Sequence, residues 1–147
     1  SYNEYWVVRD AGFSPEQLTV FKYQSEGAAT LEDGLYVNEK NLSDAAFKDK
    51  MVRFVRASMK GWKYAEANPK EAAMIILDND DAGVQTEKHQ VRMMGEIAKL
   101  TAGSNGSLDE ADYERTVKVL MSGDSDPVIT KKPSGAWTNE ITNAELN

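Results

Sequence analysis

The sequence has no cysteine and one histidine, His89. The first absence excludes disulfides, thiolate nucleophiles and cysteine-ligated metals. The second leaves little material for a histidine-rich metal centre. Long apolar runs are also missing, and nothing approaches the roughly 20 residues that span a bilayer. The opening Ser1-Tyr2-Asn3-Glu4 has no basic segment followed by an apolar one, so the expectation is a leader already removed or an internal piece of a longer protein. Basic charge is short as well. Seventeen Lys and Arg against 24 Asp and Glu give a net charge of -7, which argues against nucleic acid as a partner, because that needs clustered cations.

What remains suits a folded domain. The 147 residues are 41% hydrophobic and 28% charged, enough for a core under a solvated surface. The stretch Tyr2-Asn3-Glu4-Tyr5-Trp6-Val7-Val8 reads either as a short helix capped by Asn3 and stopped by Gly12, or as a strand. Residues 18–23 (Leu-Thr-Val-Phe-Lys-Tyr) and 35–37 (Leu-Tyr-Val) have strand composition, the second entered through the turn signal Asp33-Gly34.

From Ser43 the period becomes helical. Phe47, Met51, Phe54, Ser58 and Trp62 recur at steps of three and four, which places them on one face of a helix over about 43–67. Asn68-Pro69-Lys70-Glu71 predicts a helix start, with Asn68 as cap, Pro69 in the first turn and Glu71 closing a capping box. That helix carries Ala72, Ala73, Ile75, Ile76 and Leu77 and ends in Asp78-Asn79-Asp80-Asp81. A further helix is expected from Thr86 to about Leu100, with Met93, Met94, Ile97 and Leu100 inward. Another opens at the capping box Ser107-Leu108-Asp109-Glu110 and carries Tyr113, Val117, Leu120 and Met121. The tail from Gly123 reads as irregular, with Thr138 or Asn139 capping a last short helix through Leu146.

The candidate chemistry is sparse. The acidic run from Asp78 places Gly83 where a calcium loop wants glycine, but Ala82 and His89 stand where it needs oxygen ligands. The run reads as a solvated helix-to-loop junction. Glu87 lies two residues from His89, a spacing that does not face on a helix, so His89 reads as a surface residue. Gly103 and Gly106 lack the Gly-Lys-Ser/Thr of a phosphate loop. Trp62 and Tyr64 beside Gly61 read as a helix–helix contact. Tyr2, Tyr5 and Trp6 around Asn3 and Glu4 combine aromatic faces with an amide and a carboxylate, which suits a flat polar ligand. A capped helix with a partly buried aromatic face has the same sequence signature.

Several segments together resemble the C-terminal part of the NMT1/THI5-like family. They are Tyr2-Asn3-Glu4-Tyr5-Trp6 with Ala11-Gly12, Glu32-Asp33-Gly34-Leu35-Tyr36-Val37, the run from Phe54 to Ala65 leading into Asn68-Pro69-Lys70-Glu71-Ala72-Ala73, and the stretch from Lys132 to Ile141. The resemblance implies an α/β fold. The chain would be a helix-rich C-terminal fragment, a single partial domain over 1–147, of a two-lobed periplasmic-binding-protein fold of type II-like form. It implies the solute-binding component of an ABC importer, periplasmic or anchored outside the membrane. Its partners would be a small-molecule ligand, the permease, and a missing N-terminal lobe or another copy of the chain, with no cofactor, catalytic residue or metal. Family ligands include thiamine pyrimidine precursors, riboflavin and sulfonates such as taurine. The opening segment looks most like the pyrimidine branch, in which Tyr2, Asn3 and Glu4 would lie near the cleft and Glu4 would accept from an aminopyrimidine. Two alternatives stand beside this reading. One is an enzyme on the same fold, although the family's pyrimidine synthase carries a cysteine-rich motif that this chain lacks. The other is a helical protein-interaction module.

Overall fold

The computed structural model describes residues 2–123 and 125–145. Among them the regular elements are helices: α1 Glu4–Asp10, α2 Ala45–Ala67, α3 Pro69–Asp78, α4 Glu87–Thr101, α5 Glu110–Met121 and α6 Glu140–Glu145, with short 3₁₀ turns at Pro15–Gln17 and Glu39–Ser43. The helix-rich expectation holds. The β part of the α/β expectation does not, because no strand forms among the described residues. Residues 18–23 and 35–37 run irregularly, with Phe21 at 70% and Tyr36 at 82% exposure. Strand composition records fitness for a pleated, half-covered surface. A strand without a hydrogen-bonded neighbour gains no ladder, and even an isolated pair is marginal in water.

The chain forms two compact units, each from two stretches of sequence: Ser1–Thr19 with Arg56–Asn105, and Val20–Val55 with Gly106–Asn147. The α2 helix begins in the second and continues into the first.

In the first unit α3 lies against α4, and the core is small. Ala72 and Ala73 of α3 meet Met94 of α4, with Ala65 and Val91 packed alongside. Ala73 is 0% exposed, so the two helices approach closely because alanine leaves room. Ile75 is 50% exposed; Leu100, expected inward, is exposed too, while Ile97 is half-buried. The buried face of α3 runs through Ala72 and Ala73, and this turns the bulkier Ile75 outward.

The α3 helix starts differently from the expected capping box. Asn68 makes no cap bond. Its Nδ2 donates to the Tyr64 carbonyl, 3.0 Å away, and so finishes α2. Glu71 accepts from the Tyr64 hydroxyl, which holds the phenol above its ordinary pKa. The acidic run is a junction: Asp80 Oδ2 accepts from the Gln85 N–H at 2.7 Å, and Thr86 Oγ1 accepts from the His89 N–H to cap α4.

In the second unit Asp44 caps α2, its Oδ1 accepting from the Ala46 N–H at 2.8 Å. The start of α5 differs from the expected one. Asp109 Oδ1 accepts from Ala111 and Asp112 N–H at 2.7 and 3.2 Å, which shifts the cap from Ser107 to Asp109. Val117 is the buried apolar residue of α5. The expected irregular tail is held against that helix. Tyr113 and Trp137 rings lie 5.9 Å apart, Lys132 pairs with Glu114 at 2.7 Å, and the Asn139 side chain exchanges two hydrogen bonds of 2.9 Å with the Leu108 backbone. Thr138 Oγ1 accepts from the Glu140 N–H at the start of α6. The expected end of that helix at Leu146 lies outside the described residues.

The expected apolar stripe of α2 is partly covered, with Phe47, Met51 and Ser58 half-buried. No residue of α2 is buried, and Phe54 and Trp62 are 53% and 41% exposed.

A candidate ligand-binding segment at the first helix

Tyr2, Asn3 and Glu4 open α1, so of the two readings of this stretch the helix is the one that forms. Two backbone contacts nucleate it: the Asn3 carbonyl accepts from the Trp6 and Val7 N–H groups at 2.9 and 3.1 Å. Glu4 in the first turn and Arg9 in the last complement the helix dipole. Gly12, at φ +102°, lets the chain turn away where a side chain would be strained.

The Asn3 side chain does not cap the helix, contrary to the expected cap. It reaches α4 instead, where Asn3 Oδ1 lies 2.8 Å from His89 Nε2. His89 is accordingly half-buried rather than a surface residue. Asn3, Trp6 and Asp10 follow at steps of three and four and share one face of α1. On α4, Lys88, His89 and Arg92 face them. Arg92 holds Asp10 through two bonds of 2.7 and 3.2 Å, and Lys88 adds a third at 2.9 Å. Hydrogen bonding from Arg92, then from Lys88, pulls the Asp10 carboxyl down to about 2.

The aromatic part of the segment splits into two roles. The Trp6 ring lies 4.8 Å beneath the Arg92 guanidinium and meets Tyr5 edge-on at 5.1 Å. Trp6 Nε1 and Arg9 Nη1 are buried and have no hydrogen-bond partner, an arrangement that costs stability. Tyr2 and Asn3 are half-buried and Glu4 is exposed. The structure thus brings Asn3 to a partner that sequence reasoning did not find. The available signal was the helical spacing of His89 and Arg92, which pairs with that of Asn3, Trp6 and Asp10 only once α1 lies along α4.

Two open depressions lie elsewhere. One of about 580 Å³ is lined by Lys70, Glu87, Lys88 and Val91. Another of about 400 Å³ is lined by Glu114, Val117, Lys118, Met121, Ser122 and Lys132. Tyr2, Asn3 and Glu4 line neither. Among the described residues no group of three or more His, Asp or Glu is placed to hold a metal ion, and no helix is long and apolar enough to cross a membrane.

Residues 3–72 match the family described as NMT1/THI5 like. The match takes in Asn3, Glu4, all of α1 and α2, and the start of α3. No curated protein and no solved structure matches the chain. An NMT1/THI5-like match points to substrate binding or a related function, since the family is known mainly for binding proteins.

Proposed function

We propose that this chain captures a small solute as part of the binding component of an ABC importer and releases it unchanged. The carrying observation is the NMT1/THI5-like match over residues 3–72, which takes in the opening helix and its polar residues. In this reading Tyr2, Asn3 and Glu4 contact the solute. An aminopyrimidine of the kind that serves as a thiamine precursor suits them best, the Tyr2 ring supplying a stacking face and Glu4 accepting from an amino group. Binding is coupled to closure of two lobes and docking on a permease, on the outer side of the membrane.

The uncovered apolar residues support the two-lobed reading. Trp62, Ile75 and Leu100 are exposed, and a second lobe would give these side chains a cover. The cover proposed here is the other lobe of the receptor or, in its absence, a second copy of the chain.

Ligand-detected NMR of the 147-residue chain with an aminopyrimidine, riboflavin and taurine tests the reading. Saturable contact with the aminopyrimidine, which is recovered unaltered by mass spectrometry, supports it. Conversion of any of the three compounds replaces it with the enzyme reading. Contact with none of them, together with capture of a protein partner through α2, favours the interaction module.

A further inference from the structure

The structure assigns His89 a positioning role: it fixes the Asn3 carboxamide so that Asn3 offers an N–H donor, not its carbonyl, to a ligand. This rests on the proposed reading of the opening segment. The argument starts from atom chemistry. An amide oxygen only accepts, so the 2.8 Å contact between Asn3 Oδ1 and His89 Nε2 requires the proton on Nε2. The carboxamide is planar, and its NH₂ group diverges from the oxygen that His89 engages. Asn3 thus holds its oxygen against α4 and turns its N–H donors toward a bound molecule.

Three features hold this arrangement. His89 is rooted in α4, its backbone N–H bonded to Thr86 Oγ1 at the helix cap. One turn further along, Arg92 grips Asp10 and covers Trp6, which ties α1 to the same helix. The Asn3 carbonyl meanwhile accepts from the Trp6 and Val7 N–H groups, and its side chain makes no cap bond. A carboxamide that rotates freely recognises donors and acceptors alike; one pinned at its oxygen selects for acceptors. The favoured solute thus carries a ring nitrogen or carbonyl opposite Asn3.

Because the chain has one histidine, its imidazole gives a single unambiguous set of NMR signals. In the free protein, Asn3→Ala is expected to move the His89 Nε2 resonance and speed exchange of its proton, while Glu4→Ala leaves both in place. An Nε2 signal indifferent to Asn3→Ala overturns the positioning role whatever the ligand is. The second arm compares 4-aminopyrimidine with aniline, which has the same amino group but no ring acceptor. Wild type and His89→Gln, which keeps a donor, are expected to prefer the pyrimidine by about tenfold. His89→Phe is expected to lose that preference. Retention of the preference in a folded His89→Phe overturns the inference. Failure of both probes to bind wild type overturns the proposed function and the ligand-facing half of this inference, and the imidazole signal still decides the positioning half.

Discussion

The Arg92 guanidinium lies 4.8 Å over the Trp6 ring while its nitrogens hold Asp10 at 2.7 and 3.2 Å. One side chain of α4 thereby binds two residues of α1 that stand four apart. The α1 helix has only seven residues and none of them is buried, so it cannot stand by propensity alone. Its place depends on this polar clasp. A double-mutant cycle of Trp6→Leu and Arg92→Met is expected to show a coupling of about 0.5–1 kcal/mol in urea unfolding. A coupling of zero means that the ring and the cation are neighbours without attraction.

The same clasp sets an acid response. The folded-state pKa of Asp10 is pulled from 3.8 to about 2, chiefly by hydrogen bonding from Arg92. A depressed carboxylate contributes stability that is present above the unfolded value and is lost as pH falls through the folded one. The window therefore runs from about pH 4 down to about 2. Carboxyl-detected NMR is expected to find Asp10 titrating at the bottom of that window, and Asp10→Asn is expected to flatten acid unfolding within it. Titration of Asp10 near its ordinary value contradicts the geometry.

Helix starts were legible in kind and not always in residue. The period of α2 was readable because Phe47, Met51 and Phe54 repeat at helical steps, whatever later covers them. Caps are harder, because Ser, Thr, Asn and Asp cluster at each junction and any one of them can accept from the open N–H groups. Asp109 displaced Ser107, and Asn68 served the helix behind it. Strand composition at 18–23 and 35–37 misled for another reason: pairing depends on a neighbour that local sequence does not reveal. The Asn3–His89 contact joins residues 86 apart in sequence, and no local pattern reports it.

The displaced cap at α5 gives a direct check. Asp109 satisfies two N–H groups at once. Asp109→Ala is expected to lower stability by about 1 kcal/mol, while Ser107→Ala leaves α5 capped and costs less. Chemical denaturation of both variants reads the order, and a larger loss at Ser107 reverses the assignment.

Close approach of α3 and α4 is checked at Ala73, which is 0% exposed. Adding three carbons there forces the helices apart or the side chain off its rotamer. Ala73→Leu is expected to cost about 1–3 kcal/mol by overpacking. Ile75→Leu, on the exposed face of the same helix, is expected to be nearly neutral. Equal effects at the two positions contradict the close helix contact.

Backbone amide shift mapping during titration with an aminopyrimidine, followed by recovery of the compound, tests the central claim most directly. The account predicts saturable shifts centred on Tyr2, Asn3 and Glu4, their loss in Asn3→Ala, and a compound returned intact. Shifts centred away from α1, or a chemically altered compound, would contradict it.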